Sequence, residues 1–117
     1  MKKDSPKTLS ANELHAWLQN DDLKPLLIDV REEEELEIAL FPSEVIHLPL
    51  STSSTWLETL PAKLSLNKPI VVICHAGIRS WNFGQWLLDQ NLGYEVWNLK
   101  GGIDAWSVEI DPTIPRY

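Results

Sequence analysis

The stretch PIVVICHAGIRS, residues 69–80, joins the strongest strand signal of the chain to the start of a helix. Its first half is a run of β-branched residues after a proline, which is typical of a strand buried on both faces. Apolar residues then recur at helical spacing, which predicts a helix over 79–91 with Gly93 as its left-handed cap. Cys74 lies at the junction, where a buried strand passes through a short loop into a helix.

Shorter strands and helices alternate on both sides of this stretch. Apolar runs bounded by prolines or polar turns predict strands over 24–30, 45–49 and 95–99. The predicted helices are one over 11–20 behind a capping box of Ser10 and Glu13, one with apolar Leu57, Leu60 and Leu64 that Pro61 ends or bends, and a short one with Ile103 and Trp106. This alternation indicates an α/β fold with a mostly parallel five-stranded sheet and helices on both faces. Ligands of such sheets bind beyond the carboxyl ends of the strands, where Cys74 lies.

The composition is that of one globular domain. The 117 residues, 44% of them hydrophobic, suffice for one core, so we expect a single domain over 1–117 with a flexible segment 1–6 and an extended tail 110–117. The net charge of −7 excludes a basic nucleic-acid surface. An apolar run of membrane-spanning length and an apolar leader are both absent from the sequence, so we expect a cytoplasmic protein without membrane contact.

The single cysteine limits the chemistry that the sequence can support. One cysteine allows neither an internal disulfide nor a CxxC redox pair, and with three scattered histidines it makes a poor zinc set. We therefore expect no metal and no cofactor. A free cysteine at the end of a buried strand is often only a small hydrophobic residue, and that interpretation competes with a chemical role for Cys74.

The loop after Cys74 favours the chemical role. Gly77 can adopt a positive φ at no steric cost, which lets the loop turn its amide N–H groups inward around an anion. The N-terminus of the following helix adds further donors and the positive end of its dipole. Arg79 supplies a fixed charge that either faces the anion or braces the loop. A thiolate held there could take up sulfane sulfur as a persulfide and pass it to a nucleophilic acceptor.

Three motifs resemble those of rhodanese domains, the sulfurtransferases that carry a cysteine persulfide. CHAGIRS at 74–80 is similar to the active-site loop, LIDVRE at 27–32 to the N-terminal signature, and GGIDAW at 101–106 to the C-terminal signature. The resemblance implies a rhodanese-like α/β fold with Cys74 as nucleophile and no cofactor beyond the covalent persulfide. It implies an anion cradle made of His75, Ala76, Gly77, Ile78, Arg79 and Ser80.

The resemblance also implies a reaction and its substrates. The expected activity is of the thiosulfate:cyanide sulfurtransferase type, with a small sulfane-sulfur donor such as thiosulfate or a persulfide and a thiol or cyanide as acceptor. His75 stands where enzymes acting on thiosulfate often have Arg or Lys, and the segment 40–45 departs from the family pattern, so the physiological donor stays open. His75 could carry a partial charge at the mouth of the site or simply point outward.

Two alternatives to sulfur transfer remain. Related phosphatases and arsenate reductases have five residues between Cys and Arg, whereas this chain has four, so its narrower ring fits a sulfur better than a tetrahedral oxyanion. A non-catalytic interaction module with the same fold is the other alternative. The tail 106–117 resembles the ends of rhodanese domains fused to enzymes that activate ubiquitin-like sulfur carriers, which adds a protein sulfur acceptor to the expected partners.

Other residues receive weaker assignments. Asp29 and Arg31 end a strand and could support the loop, although the resemblance implies a mainly structural pair. Trp81 follows the loop and could line the mouth of the site, while His15 and His47 are interpreted as structural or solvated. Trp17, Trp86 and Trp106 fit apolar faces and are predicted to lie in the core. The glutamate-rich segment 31–39 is predicted to form a short helix with a solvated acidic face, a basic partner being the alternative.

Overall fold

A computed structural model describes residues 4–20, 23–64 and 67–117 and confirms the α/β fold. The described strands are β1 (Lys7–Leu9), β2 (Leu26–Asp29), β3 (Ile46–His47), β4 (Ile70–Ile73) and β5 (Val96–Leu99). The described α-helices are α1 (Ala11–Gln19), α2 (Glu33–Ile38), α3 (Ser53–Trp56), α4 (Leu60–Lys63), α5 (Ile78–Asp89) and α6 (Gly102–Glu109), and 3-10 turns cover Leu50–Thr52 and Leu57–Thr59. The strands form one sheet in the order β1-β5-β4-β2-β3. Each pair of neighbouring strands is parallel.

The central strand β4 divides the core into two layers. Its four residues are completely buried, and their side chains alternate between the two faces of the sheet. Val71 and Ile73 belong to the core cluster that contains α1 and α6, whereas Val72 and Cys74 belong to the cluster that contains Phe83 of α5. Cys74 therefore continues the alternation of β4 and places its side chain under α5.

The described structure departs from the expected elements at four places. The fifth strand is β1, which pairs with β5 and which the sequence did not predict because it is only three residues long and two of them are exposed. Pro61 lies in the first turn of the separate helix α4, which begins at Leu60, instead of ending or bending a continuous helix. The first left-handed residue after α5 is Asn91, with φ 56°, and not Gly93. Trp86 is 39% exposed and lies outside the core, because the face of α5 on which it sits forms the wall of a surface groove.

Both described ends of the chain contact the domain. The Asp4 carbonyl accepts a hydrogen bond from the Gln85 side chain at 2.8 Å, and residues 1–3 of the segment expected to be flexible lie outside the described residues. The C-terminal tail starts with a turn in which the Ile114 amide donates to the Asp111 carbonyl at 3.1 Å. Ile114 is buried, and the rest of the tail returns to the edge of the sheet where Cys74 lies. None of the helices in the described ranges is long and apolar enough to cross a bilayer.

Candidate active site

The Cys74 sulfur is buried but faces a main-chain donor. The residue is only 1% exposed, and its Sγ accepts a hydrogen bond from the Gly77 amide at 3.0 Å. Gly77 has the positive φ that the sequence predicts, 99°, and it caps the N-terminus of α5. Because α5 begins at the next residue, its unpaired amides and the positive end of its dipole lie beside the sulfur. This geometry suits an anionic sulfur better than a purely apolar packing role.

Two polar side chains that are also buried continue the site beneath the loop. The Ser80 hydroxyl lies 3.2 Å from Cys74 Sγ and 2.5 Å from Asn98 Oδ1. The Asn98 Nδ2 group donates to the Gly77 carbonyl at 3.0 Å, so the amide of Asn98 holds both Ser80 and the turn of the loop. Ser80 is completely buried and Asn98 is 6% exposed. The sequence predicted Ser80 as part of the site but not Asn98.

The start of α6, at Gly101 and Gly102, packs against the loop and holds it through hydrogen bonds. The Ile103 amide donates to the Cys74 carbonyl at 2.9 Å, and the Asp104 amide donates to the His75 carbonyl at 3.1 Å. A Cβ on Gly102 would lie 2.3 Å from the Cys74 carbonyl oxygen, so only glycine lets α6 approach this closely. The Cys74 and His75 carbonyls are thus bound to α6, while the Gly77 amide of the same loop is directed toward the sulfur.

Arg79 braces the loop against another helix. Its guanidinium forms a bidentate ion pair with Glu35 of α2, with N–O distances of 2.7 and 2.8 Å. The hydrogen bonds from Arg79 hold the pKa of Glu35 at about 2, well below its usual value. The same pair raises the pKa of Arg79, and the nearby Cys74 adds a smaller contribution, so the guanidinium is also within electrostatic reach of a thiolate. Glu35 therefore does not belong to the solvated acidic face that the sequence predicts for this segment.

Tyr117 also takes part in this network of hydrogen bonds. The Tyr117 hydroxyl donates to Glu35 Oε1 at 2.8 Å and accepts from Arg31 at 3.1 Å. Its ring stacks on the imidazole of His75, with centroids 4.0 Å apart and planes 12° from parallel. Burial raises the pKa of Tyr117, so the hydroxyl stays protonated and remains a donor near neutral pH. His75 is half-buried under this ring, whereas the sequence alone is compatible with a side chain that points outward.

Asp29 and Arg31 form a fully buried ion pair behind the site. The Arg31 guanidinium donates to both carboxylate oxygens of Asp29, and the shortest contact is 2.8 Å. Further donors of Arg31 reach the Glu35 carbonyl at 3.3 Å and Tyr117, while the Arg31 carbonyl lies 2.6 Å from His47 Nε2. The described contacts of the pair therefore hold α2, β3 and the C-terminal tail together, so the pair supports the site structurally.

The remaining residues of the predicted cradle lie at the surface. Ala76 and Ile78 are exposed, Ile78 to 73%, and Trp81 is 38% exposed on the first turn of α5. An apolar cavity of about 330 Å³ begins at Arg79 and runs along α5. It is lined by Leu50, Ser53, Trp56, Leu57, Arg79, Asn82, Phe83 and Trp86.

Three residues of the site, Glu35, Asn98 and Tyr117, are not predicted from the sequence, for different reasons. Glu35 is one of several neighbouring glutamates that the sequence does not distinguish, and its partner Arg79 is 44 residues away. Asn98 carried a usable signal, because a polar residue in the predicted apolar strand 95–99 needs a buried partner. Tyr117 lies in the C-terminal segment 106–117, which carries a family resemblance, but an irregular tail has no pattern that indicates its contacts with Glu35 and His75.

The chain is similar in sequence to several known proteins. The family profile described as Rhodanese-like domain matches residues 10–109. The chain is 39% identical over 114 residues to Rhodanese-like/PpiC domain-containing protein 12, chloroplastic, of Arabidopsis thaliana, covering 95% of this chain and 37% of that protein. It is 33% identical over 106 residues to YtwF of Bacillus subtilis, which is named as a candidate sulfurtransferase, covering 91% of this chain and 95% of YtwF.

Another relative and a solved structure complete the comparison. The Drosophila grimshawi protein named Adenylyltransferase and sulfurtransferase MOCS3 is 36% identical over 99 residues, which are 82% of this chain and 22% of that protein. The chain therefore spans well under half of the Arabidopsis and Drosophila proteins. A rhodanese-related protein of Thermoplasma volcanium superposes with a TM-score of 0.70 at 27% identity, covering 89% of this chain and 93% of that one.

Proposed function

Since the chain belongs to the rhodanese-like domain family, we propose that it is a sulfurtransferase in which Cys74 carries sulfane sulfur as a persulfide. The observation that carries the proposal is the 3.0 Å hydrogen bond from the Gly77 amide to Cys74 Sγ at the N-terminus of α5. A donor aimed at sulfur, on a loop that α6 and α2 both brace, stabilises the anionic form that attacks a sulfur donor. Relatives named for sulfurtransferase activity support the same reaction class.

The reaction has two steps and no net oxidation. In the first, the Cys74 thiolate attacks the outer sulfur of a donor such as thiosulfate or a persulfide, an S–S bond forms, and the donor's own S–S bond breaks. The electron pair of that bond leaves with sulfite or a thiolate. In the second, cyanide or a thiolate attacks the outer sulfur of the Cys74 persulfide, and the Cys74 thiolate leaves with the bonding pair.

The charged groups of the site have supporting roles in this scheme. The outer sulfur of a persulfide is anionic, so the Gly77 amide and the N-terminal end of α5 also favour the product of the first step. Arg79 keeps the start of α5 in place through Glu35 and adds positive charge near the sulfur. His75, held under Tyr117, lies next to the nucleophile and is the residue of the loop that differs from the usual thiosulfate-binding pattern.

The proposal is tested by following sulfur on the protein. Purified chain is incubated with thiosulfate or with a small-molecule persulfide, and intact mass spectrometry is used to find one added sulfur, which cyanide should remove as thiocyanate. Cys74→Ser and wild type alkylated with iodoacetamide are matched controls, since Cys74 is the only cysteine. Failure of wild type to take up sulfur from either donor would contradict the proposal and favour the interaction module. Cys74-dependent hydrolysis of an aryl phosphate or reduction of arsenate would favour the other alternative.

We extend the proposal to a protein as the physiological acceptor. The support is the resemblance of the tail to rhodanese domains fused to carrier-activating enzymes, together with a relative whose name joins an adenylyltransferase to a sulfurtransferase. The test loads Cys74 with radioactive sulfane sulfur and adds an extract of the source cells. Transfer of label to a defined protein in a Cys74-dependent manner supports the extension, and transfer only to small thiols contradicts it.

A further inference from the structure

The Ser80 hydroxyl has one hydrogen and two neighbouring acceptors. Asn98 Oδ1 lies 2.5 Å away and Cys74 Sγ lies 3.2 Å away. The amide oxygen can only accept, so the short contact with Asn98 requires that the hydrogen of Ser80 point to Asn98. The orientation of that amide is fixed in turn, because its Nδ2 group donates to the Gly77 carbonyl at 3.0 Å. The Ser80 oxygen therefore turns a lone pair toward the sulfur.

This direction of the hydrogen bond suits a protonated thiol. In the thiol form, the Cys74 S–H donates to Ser80 Oγ, which donates to Asn98 Oδ1, and each hydrogen has one acceptor. In the thiolate form, the sulfur faces a lone pair unless Ser80 rotates its hydrogen away from Asn98. That rotation leaves Asn98 Oδ1 without its donor in a site where Ser80 and Asn98 are 0% and 6% exposed, which is unfavourable.

We propose that Asn98 is a positioning residue that opposes ionisation of Cys74 by competing with the sulfur for the Ser80 hydrogen. The Gly77 amide and Asn98 thus act on the thiol in opposite directions, one favouring the anion and the other the neutral form. The inference deepens the proposed function, since it assigns control of the same nucleophile to a residue of β5. It concerns the ionisation of the thiol and not the transfer of sulfur. Sulfur transfer could therefore fail while the inference holds, and the inference could fail while sulfur transfer is observed.

The other ionisable groups around the loop do not differ between the variants that test this. Among the described residues they are Arg79 on α5, Glu35 on α2, the pair of Asp29 at the end of β2 and Arg31 after it, His47 on β3, Asp104 on α6, His75 in the loop and Tyr117 on the tail. Asn98→Leu replaces a neutral side chain with a neutral one of the same branching pattern and larger volume, so it leaves these charges unchanged. A change in thiol ionisation would then come from the hydrogen-bond network.

The experiment measures the rate of iodoacetamide alkylation against pH, which reports the thiolate because Cys74 is the only cysteine. We expect Asn98→Leu to shift the midpoint to lower pH by roughly half a unit to one unit, which is about three- to tenfold faster alkylation below the midpoint. We expect this effect to disappear when Ser80→Ala is the background. If Asn98 merely braced the loop, its loss would loosen the Gly77 donor and move the midpoint to higher pH.

An unchanged or higher midpoint in Asn98→Leu, or a shift that persists without Ser80, would overturn the proposal. Asn98→Ala takes the place of Asn98→Leu if thermal unfolding shows that the leucine variant is not folded. Raman spectra of wild type and Ser80→Ala provide an independent test, since the S–H stretching band comes from Cys74 alone. A thiol that donates to Ser80 should show this band at lower wavenumber than Ser80→Ala, and equal positions in the two proteins would contradict the inference.

Discussion

Arg79 and Glu35, which are 44 residues apart in sequence, meet in a bidentate ion pair between the start of α5 and helix α2. The Arg79 side chain is 37% exposed and that of Glu35 is 17% exposed, so the pair is partly shielded from water. The Arg79 guanidinium is consequently held by a carboxylate and does not turn freely toward the sulfur. Its effect on Cys74 combines a fixed position with a partly neutralised charge.

Replacing Arg79 should therefore impair both the position of the loop and its charge. We expect Arg79→Ala to slow sulfur uptake about tenfold, because the unpaired Glu35 carboxylate then faces the site and disfavours the thiolate. Arg79→Lys should fall between this variant and wild type, since it keeps the charge without the two-pronged contact. Time-resolved intact mass spectrometry measures the rate. Arg116→Ala is the matched control, because Arg116 is 64% exposed and pairs with Asp104 at the surface. An uptake rate in Arg79→Ala equal to that of the control would show that Arg79 has no part in the chemistry.

The low pKa of Glu35 predicts a pH-dependent contribution to stability. The folded state holds this pKa at about 2, compared with 4.5 for the free side chain, so the unfolded chain binds a proton first as the pH falls. Stability from the pair is fully present above about pH 4.5 and is lost as the pH falls toward 2. We expect wild type to exceed Glu35→Gln by about 1 kcal/mol at neutral pH, less than the full pKa shift implies, because the pair remains partly exposed to water. The difference should close below pH 4.5.

Urea unfolding of the two proteins at a series of pH values provides the measurement. Glu34→Gln is the control, because Glu34 lies in the same helical turn and is exposed. Its difference from wild type should stay within about 0.5 kcal/mol at each pH. A constant gap between wild type and Glu35→Gln from neutral to acidic pH would mean that the ion pair does not shift the ionisation of Glu35.

The parts of the site that the sequence predicted are those set by local rules. The β-branched run places Cys74 at the end of a strand, Gly77 supplies the positive φ, and the helical spacing starts α5 directly after it. The partners that act on this loop come from distant segments. Glu35 is 82 residues from Tyr117, and Asn98 is 18 residues from Ser80. Pairings of that kind depend on how strands are ordered in the sheet, which periodicity along the chain does not encode.

The close approach of α6 to the loop predicts a steric effect at Gly102. A methyl group there would lie 2.3 Å from the Cys74 carbonyl and 2.5 Å from the His75 carbonyl, so α6 would have to move away and its two amide hydrogen bonds would break. We expect Gly102→Ala to lower the free energy of unfolding by about 3 kcal/mol and to abolish sulfur uptake. Urea unfolding and the mass assay measure these effects.

Gly102 has a positive φ of 61°, so its replacement adds backbone strain to the steric clash. The variant Gly93→Ala is the control that separates the two effects. Gly93 also has a positive φ, 87°, but it lies in an exposed turn after α5. Its replacement should cost about 1 kcal/mol, from left-handed strain alone, and leave sulfur uptake unchanged. Equal losses of stability in the two variants would indicate that the contact between α6 and the loop is looser than described.

The contacts of Tyr117 predict that its hydroxyl stabilises the fold without taking part in the reaction. That hydroxyl bridges Glu35 and Arg31, whereas the ring covers His75, and neither contact reaches the sulfur. Tyr117→Phe should lower the free energy of unfolding by about 1 kcal/mol, because Glu35 and Arg31 each lose one partner, and should change sulfur uptake less than about threefold. Tyr117→Ala should lose about 1 kcal/mol more, since the stack on His75 is also removed. Urea unfolding beside the mass assay distinguishes the two contributions. A large fall in uptake for Tyr117→Phe with unchanged stability would instead place the hydroxyl among the groups that assist sulfur transfer.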